Sequence, residues 1–402
     1  MAWPRSSRWA PESAGGGRAL AAERWERLVV LLAANSYDEP KVADRHLAET
    51  LSEYVPVLYV DPPISKLTPL RRPELRASAA SPGLTYLSPQ LARVTPIVQP
   101  GMLRSGLASV TAALTRRVCA RTVRSIGVPV AALISTSPVL PVFGSCLEQL
   151  SVYWAQDDFA AGAELMGISR RLINKREPRI AAAADMLITS SPVVQTAWQA
   201  RGLDPEFIPY GCDVESFAET GAVGPPPDAS LPTPVVGMVG RLNDRLNLAI
   251  LEEVAARGLS LLIVGPRDLN YCRDRVDRLL ALANVQWVGP KDFTELPAYL
   301  GAIEVGIVPY QDSAFNRASF PLKTLEYLSA GLPVVATDLP STRWLNLKEV
   351  TLVDQPSGFA DAVEAAFEHA HDPERVRQRQ DAAAQHSWRK RAQDFAVLLG
   401  LA

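Results

Sequence analysis

Residues 320–337 read FPLKTLEYLSAGLPVVAT, and they determine the class of fold that the chain can adopt. They predict a helix over residues 322–330, because Pro321 suits the first turn of a helix and Gly331 suits its end. The apolar run over residues 333–337 is typical of a strand buried on both faces of a parallel sheet. A helix that leads directly into such a strand is the repeating unit of an α/β fold.

The same alternation of strand and helix extends over most of the chain. A stretch with five prolines, residues 221–234, divides it and is typical of a stiff linker. Helices are predicted between most of the strands, and two more, at residues 357–370 and 374–399, end the chain. The predicted strands lie at residues 28–34, 55–60, 94–98, 130–135, 151–155 and 186–189 before the linker, and at 235–240, 259–265, 285–289, 304–309 and 333–337 after it.

These patterns predict an α/β protein with two Rossmann-like domains, each with a doubly wound parallel sheet, that face each other across a cleft. The predicted divisions are a disordered tail over residues 1–26, a first domain over 27–218, a linker over 219–234 and a second domain over 235–402. Ligands of such sheets bind beyond the carboxyl ends of the strands, so the loops that follow the strands are where a site is expected.

Composition excludes several classes of protein. The 402 residues are 48% hydrophobic with a formal net charge of -2, which excludes a disordered, collagen-like or membrane-embedded chain. No apolar run approaches the roughly 18 residues that span a bilayer. The four cysteines are far apart, so neither a disulfide framework nor a zinc site is indicated. Without a signal peptide, a cytoplasmic location is expected.

Positive charge is concentrated in the first half of the chain. Residues 1–210 contain 23 Lys and Arg against 18 Asp and Glu, and no acidic residue lies between Glu74 and Glu148. This basic region is either a solvated surface or a dock for anionic lipid headgroups or a phosphate-bearing acceptor. Nucleic acid is not an expected partner, because no recognition motif is present. The arginines between the two glutamates are Arg76, Arg93, Arg104, Arg116, Arg117, Arg121 and Arg124.

Lys323 and Glu326 are the first candidate site residues. Three residues apart near the start of the predicted helix, they share one helical face. Free N–H groups and the helix dipole favour phosphate at a helix N-terminus, and Lys323 adds a full charge there. A carboxylate one turn deeper can accept hydrogen bonds from both hydroxyls of a ribose. The alternative is a solvated Lys–Glu pair with no ligand.

Several blocks of the second domain together resemble the nucleotide-sugar site of GT-B glycosyltransferases, especially glycosyltransferase family 4 and its relatives. The resemblance is greatest to actinobacterial enzymes of teichuronic-acid or envelope-polysaccharide type. It extends over nearly the whole second domain, with the blocks in the expected order. They are residues 237–242 (GMVGRL), 262–266 (LIVGP), 285–290 (VQWVGP), 306–310 (GIVPY) and 320–337.

The resemblance implies a GT-B fold and transfer of a sugar from a nucleoside diphosphate, with UDP expected, to a hydroxyl acceptor. Glu326 then binds the ribose, Lys323 contacts the pyrophosphate, and Arg241 or, preferably, Arg245 neutralises the leaving diphosphate. No metal ion or other cofactor is required. The last helix, with Trp388 and Phe395, is expected to cross back onto the first domain. Further donor-binding residues implied by the matched blocks are Lys291, Phe293, Tyr310 and Ser319.

One position departs from the family pattern. Family members often carry a second Glu eight positions before the ribose-binding one, and here that position is Ala318. Because that Glu normally contacts the donor sugar, its absence leaves both retaining and inverting stereochemistry open.

The first domain is expected to bind the acceptor and hold the catalytic base. Asp157 and Asp158 follow a predicted strand, and they resemble the site of xanthan-type glucuronosyltransferases, where an Asp is the base. Asp157 is the preferred candidate, since Asp158 could instead cap the helical turn that follows it. His46, on the first predicted helix, is the other candidate base, although a lone helical histidine is more often a packing or surface residue.

Two other functions remain open at this point. A GT-B epimerase would act on the nucleotide sugar without an acceptor, but such enzymes typically carry several histidines in the cleft. A non-catalytic nucleotide-sugar-binding subunit would explain why Ala318 stands where the family often has a glutamate. Such a subunit would not need a catalytic base such as Asp157. The expected acceptor is an envelope glycan or a lipid-linked or anionic precursor at the inner face of the plasma membrane; a secondary-metabolite scaffold is the alternative.

Overall fold

Two mainly parallel sheets flanked by helices make up the fold, in a computed structural model that describes residues 25–101, 104, 106–218, 220, 224 and 226–401. Residues 1–24 of the predicted tail lie outside the described residues. Trp25 belongs to the first core rather than to a tail, because its indole contacts Tyr86 and donates to the Pro89 carbonyl at 2.9 Å.

The first sheet has eight strands in the order β10-β9-β8-β7-β1-β2-β5-β4, and β4 pairs antiparallel with β5. Strands β3 and β6 form a separate two-stranded sheet. The ten strands are β1 (Leu28–Leu32), β2 (Val57–Val60), β3 (Ile64–Ser65), β4 (Thr85–Ser88), β5 (Leu91–Val94), β6 (Ile97–Val98), β7 (Val130–Ser135), β8 (Leu150–Ala155), β9 (Met186–Thr189) and β10 (Glu206–Phe207).

The second sheet is parallel throughout and has six strands in the order β13-β12-β11-β14-β15-β16. Its central strands are fully buried, as expected for Val- and Ile-rich strands covered by helices on both faces. The strands are β11 (Val235–Val239), β12 (Ser260–Val264), β13 (Val285–Trp287), β14 (Val305–Val308), β15 (Val334–Thr337) and β16 (Val350–Val353).

The helices cover both faces of the two sheets, and none of those in the described part of the chain is long and apolar enough to cross a membrane. Short 3₁₀ turns accompany them at Thr68–Leu70, Pro73–Leu75 and Phe293–Glu295. The helices are α1 (Ala43–Leu51), α2 (Arg76–Ala80), α3 (Leu107–Ile126), α4 (Arg170–Ala183), α5 (Pro192–Gln199), α6 (Val214–Ala218), α7 (Leu248–Ala256), α8 (Arg273–Leu280), α9 (Leu296–Leu300), α10 (Ala314–Ala318), α11 (Leu322–Ser329), α12 (Pro340–Leu345), α13 (Pro356–Phe367), α14 (Pro373–Ala384) and α15 (Trp388–Leu398).

Two predicted elements are wrong in extent. The strand predicted over residues 94–98 is divided between β5 and β6, because Pro96 has no N–H to donate to a ladder. The helix predicted over residues 374–399 is two helices, α14 and α15. The chain turns between them, where Ser387 caps α15 by accepting a hydrogen bond from the Lys390 N–H at 3.3 Å.

Helix α15 crosses back onto the first domain. Phe395 contacts Trp154 of β8 edge-on with ring centroids 5.0 Å apart, and the Cys212 N–H donates to the His386 carbonyl at 2.7 Å. A Cβ on Gly211 would lie 2.6 Å from the Trp388 backbone, so this crossing requires glycine. One hydrophobic core therefore runs through both domains and holds the carboxyl ends of their strands near each other.

Candidate active site

A cavity of about 140 Å³ opens at the carboxyl ends of β11 and β14, where ligands of doubly wound sheets bind. Backbone of both strand ends forms part of its wall. Its lining also includes three cationic residues and one tyrosine: Arg241, Arg245, Lys323 and Tyr310. The cavity therefore has the charge and position expected of a site for an anionic ligand.

Arg245 is the more firmly held of the two arginines. Its guanidinium carbon lies 4.6 Å from the centre of the Tyr310 ring and 5.0 Å from that of Phe315. Its Nε donates to Oδ1 of Asn316 at 2.9 Å. Arg241, four residues earlier, is exposed. The structure thus presents Arg245 as a fixed cation at the cavity and Arg241 as a surface one.

Helix α11 places Lys323 and Glu326 beside the cavity. Nζ of Lys323 lies 2.5 Å from Oε2 of Glu326, and the glutamate is buried. Burial alone would lower the pKa of Lys323, but the neighbouring carboxylate raises it above its ordinary value. Lys323 is therefore held as a cation at the start of the helix, with the Glu326 side chain one turn further.

Asp157 approaches this region from the first domain, directly beyond the end of β8. Burial raises the pKa of Asp157 to about 6, even though the Arg245 charge and hydrogen bonds with Ser319 and Tyr210 act to lower it. Ser319 and Arg245 both belong to the second domain. Asp157 is therefore a carboxylate at the contact between the domains, with a pKa suited to proton transfer near neutral pH.

A second cavity, of about 420 Å³, lies between the two domains and shares Arg245 with the first. Asp158 lines it from the first domain, and Gln311 and Phe315 line it from the second. Oδ1 of Asp158 also accepts a hydrogen bond from the Ala161 N–H at 2.9 Å, so this carboxylate fixes the turn that follows β8. The two cavities meet at Arg245.

Comparison with known proteins identifies the second domain. Residues 233–369 match a family described as "Glycosyl transferases group 1". The second domain is thus similar to this family over those residues, and we call it the group 1 domain after that match. The match takes in the cavity and every donor-binding residue predicted from the sequence, including Arg241, Arg245, Lys323 and Glu326.

A curated relative extends the similarity. Over 248 residues the chain is 32% identical to the putative teichuronic acid biosynthesis glycosyltransferase TuaH of Bacillus subtilis (strain 168). The aligned part is 58% of this chain and 62% of TuaH, so the chain spans about three fifths of that relative's length.

Similarity to solved structures establishes the fold over most of the chain. Sucrose-phosphate synthase from Thermosynechococcus elongatus superimposes with a TM-score of 0.67 at 19% identity, covering 92% of this chain and 98% of the other. Anabaena HepE in complex with UDP gives 0.66 at 16% identity, covering 93% and 99%. Both are similar over their full length, and the predicted GT-B fold is confirmed.

Two residues predicted to bind the donor lie elsewhere in the group 1 domain. Lys291 forms an ion pair at 2.6 Å with Asp228, in the segment that joins the domains, and the Tyr299 hydroxyl donates to the same carboxylate at 2.6 Å. Phe293 packs edge-on against Phe217 at 5.4 Å. Neither side chain lines the 140 Å³ cavity; both hold the group 1 domain against neighbouring segments.

His46 packs between the domains rather than at the cavity. Its ring stacks on Trp388 of α15 with centroids 5.2 Å apart, and it meets Phe293 edge-on at 5.7 Å. Burial, with the nearby Lys41 charge, lowers the pKa of His46 to about 3. A histidine that stays neutral at all physiological pH values is a poor acceptor of the substrate proton, so the geometry favours Asp157.

Ala318 is buried with Tyr153 and Trp198 of the first domain in one hydrophobic cluster. A glutamate at this position would bury its charge among these apolar side chains, which is unfavourable. A small apolar residue therefore suits the position.

Asp44 is a buried residue whose hydrogen bonds join two segments near the site. It was not among the residues predicted from the sequence. Its carboxylate accepts hydrogen bonds from the Ala34 N–H at 2.8 Å and from Nε2 of Gln156 at 2.6 Å. It thereby ties the loop after β1 to the residue that precedes Asp157. The only sequence signal was an acidic residue in the first turn of α1, which is ordinary.

Proposed function

We propose that this protein is a glycosyltransferase that moves a sugar from UDP to a hydroxyl group of an acceptor. The proposal rests on two groups of residues that lie near each other, one suited to bind the donor and one suited to accept the acceptor proton. A cationic cavity lined by Lys323 and Arg245 lies in the group 1 domain, and the Asp157 carboxylate of the other domain interacts electrostatically with that same Arg245.

The donor occupies the group 1 domain in this proposal. Glu326 accepts hydrogen bonds from the two ribose hydroxyls, while Lys323 and Arg245 flank the diphosphate. The N-terminal N–H groups of α11 add partial positive charge to the same place. These groups are already fixed by their contacts, so they stabilise negative charge without reorganising during the reaction.

The transfer step then follows from the positions of Asp157 and Arg245. The acceptor oxygen bonds to the anomeric carbon of the sugar, and its proton passes to the Asp157 carboxylate. The bond from that carbon to the diphosphate oxygen breaks, and its electron pair leaves with the diphosphate. Arg245 and Lys323 neutralise the charge that develops there, so the proposal requires no metal ion.

The relatives support both the donor and the acceptor class. HepE was solved with UDP and with UDP-glucose, and TuaH is named for teichuronic acid biosynthesis. By analogy we assign this chain a UDP-sugar donor and a cell-envelope glycan or lipid-linked precursor as acceptor, used at the inner face of the plasma membrane.

A thermal-shift panel of UDP, GDP and dTDP with EDTA present tests the donor site. At about 100 times its dissociation constant, UDP should stabilise the folded chain by about 2.7 kcal/mol, while the other bases give smaller shifts. Uridine alone is the control, since it lacks the diphosphate that Arg245 and Lys323 would bind. If none of the three diphosphates shifts the melting temperature, the glycosyltransferase proposal is wrong.

We further propose that helix α3 contacts an anionic membrane. Four exposed arginines on it form no ion pair with any described residue, and together with Arg176 of α4 they line a groove of about 710 Å³. Leu147, two residues after Ser145 of the groove lining, is 90% exposed. Arg93 is not part of this surface, because it pairs with Asp38 and Asp61. The four arginines are Arg116, Arg117, Arg121 and Arg124.

Vesicle co-sedimentation tests this contact. Replacing Arg117 and Arg121 with serine should weaken binding to phosphatidylglycerol vesicles about 30-fold, since each basic residue near an anionic surface contributes about 1 kcal/mol. The matched control replaces Arg278 and Arg375, two exposed arginines of the other domain, and should bind like the wild type. If both variants lose vesicle binding equally, or if the wild-type chain does not bind vesicles at low salt, α3 is a solvated surface and not a membrane contact.

A further inference from the structure

The backbone and the Nε of Arg245 are fixed by hydrogen bonds within the protein. Its backbone N–H donates to Oδ1 of Asn243 at 3.2 Å, and its carbonyl accepts from the Gln311 N–H at 2.9 Å. Its Nε is occupied by Asn316. Only the two terminal nitrogens of the guanidinium lack a hydrogen-bond acceptor among the described residues, and this end of the side chain lies where the two cavities meet.

Asn316 makes the largest share of these contacts. It is 1% exposed, and its side-chain amide is fully used. Oδ1 accepts from Nε of Arg245, while Nδ2 donates to the Arg245 carbonyl and to the Gln311 carbonyl, each at 2.9 Å. One buried amide therefore holds both the backbone and the side chain of a residue that is 71 positions away in sequence.

We infer that Asn316 is a positioning residue, which aims the guanidinium of Arg245 at the diphosphate of the donor. The inference rests on the proposed function, since it concerns how that function's cation is held. With Nε bonded to Asn316, the plane of the guanidinium is set and its two terminal NH₂ groups point the same way. That forked arrangement is the one that binds two phosphate oxygens together.

Asn316 also lies on the element that contacts the candidate base. Helix α10 carries Asn316 and ends at Ala318, and the next residue is Ser319, whose hydroxyl lies beside Asp157. Helix α10 thus positions Arg245, the proposed partner of the leaving diphosphate. The residue directly after it contacts Asp157, the proposed base for the acceptor. Loss of the Asn316 amide should therefore disturb recognition of the diphosphate before it disturbs the fold.

Calorimetric titration with UDP and with UMP tests the inference. We expect Asn316→Ala to weaken UDP binding about tenfold, the effect of losing one hydrogen bond to a charged group, and to change UMP binding much less. In an Arg245→Ala background the same substitution should have no further effect on UDP binding, because there is no guanidinium left to aim. Asn316→Asp keeps the size of the side chain but neutralises Arg245, and it should weaken UDP binding at least as much.

The control is Asn284→Ala, which removes an amide that also donates to two backbone carbonyls, at 2.9 and 2.8 Å, near the opposite end of the same sheet. It should leave UDP affinity unchanged. Equal losses for UDP and UMP, or an undiminished loss in the Arg245→Ala background, would make Asn316 a merely structural residue. If Asn316→Ala does not fold, wild-type UDP affinity in Asn316→Asp overturns the inference. If the wild-type chain binds no UDP, the proposed function fails and the inference falls with it.

Discussion

Asp157→Asn is expected to lower kcat about a thousandfold while leaving the affinity for UDP nearly unchanged. The amide has the shape of the carboxylate but cannot take the acceptor proton, and general-base catalysis contributes about 10²–10⁴-fold. Because burial disfavours the charged form of Asp157, the neutral amide should not reduce the thermal stability of the fold. Kinetic assay with a hydroxyl acceptor, beside UDP titration and thermal melting, separates these effects.

The matched control is Asp158→Asn. Asp158 also follows β8, but its carboxylate accepts a backbone hydrogen bond from the turn, so its replacement should cost some stability and much less of kcat. If the two variants lose equal activity, or if Asp157→Asn turns over at close to the wild-type rate, Asp157 is not the base.

The pH dependence of kcat/KM provides a second readout of the same assignment. Only the deprotonated carboxylate can accept a proton, and the pKa of Asp157 is about 6. The rate should therefore be independent of pH above about 7 and fall toward a tenfold loss for each pH unit below about 5. His46, with a pKa of about 3, would give no such fall between pH 5 and 7. A profile that is flat down to pH 5 would contradict the role of Asp157.

The arrangement of the sheets was predictable because buried parallel strands are short continuous apolar runs. Strand β15 lies at residues 334–337, within the predicted range, and β9 matches its prediction at both ends. Strand β4 was missed since its residues are mostly exposed, so no apolar run marks it. The break between α14 and α15 was missed because its cause, the contact with Cys212, lies far away in sequence.

The candidate site was predictable only where chemistry follows directly from local sequence. Lys323 and Glu326 are neighbours on one helix, and Asp157 comes directly after a strand. Lys291 was transferred from the family pattern, but its partner Asp228 lies 63 positions away. Asn316 and Asp44 act through contacts 71 and 112 positions apart in the chain. Such distant contacts leave no pattern in a single sequence.

Glu326→Gln is expected to weaken UDP binding about a hundredfold. A carboxylate accepts two charge-assisted hydrogen bonds from a ribose, and losing their charge should cost about 3 kcal/mol. The same change also leaves Lys323 without its partner at 2.5 Å, so a drop in affinity alone does not assign the role of Glu326. Titration with a uridine diphosphate that lacks both ribose hydroxyls makes the distinction.

If Glu326 binds the ribose, the dideoxy nucleotide should bind the wild-type chain weakly and the Glu326→Gln chain equally weakly, because neither pairing has both the hydroxyls and the carboxylate. If Glu326 only holds Lys323, the substitution should weaken UDP and the dideoxy nucleotide by the same factor. Glu177→Gln is the control, since Glu177 is another buried glutamate, bonded to the Tyr153 hydroxyl at 2.9 Å within the first domain. It should leave both affinities at their wild-type values, so any loss seen at Glu326 reflects its place beside the cavity and not the removal of a buried carboxyl group as such.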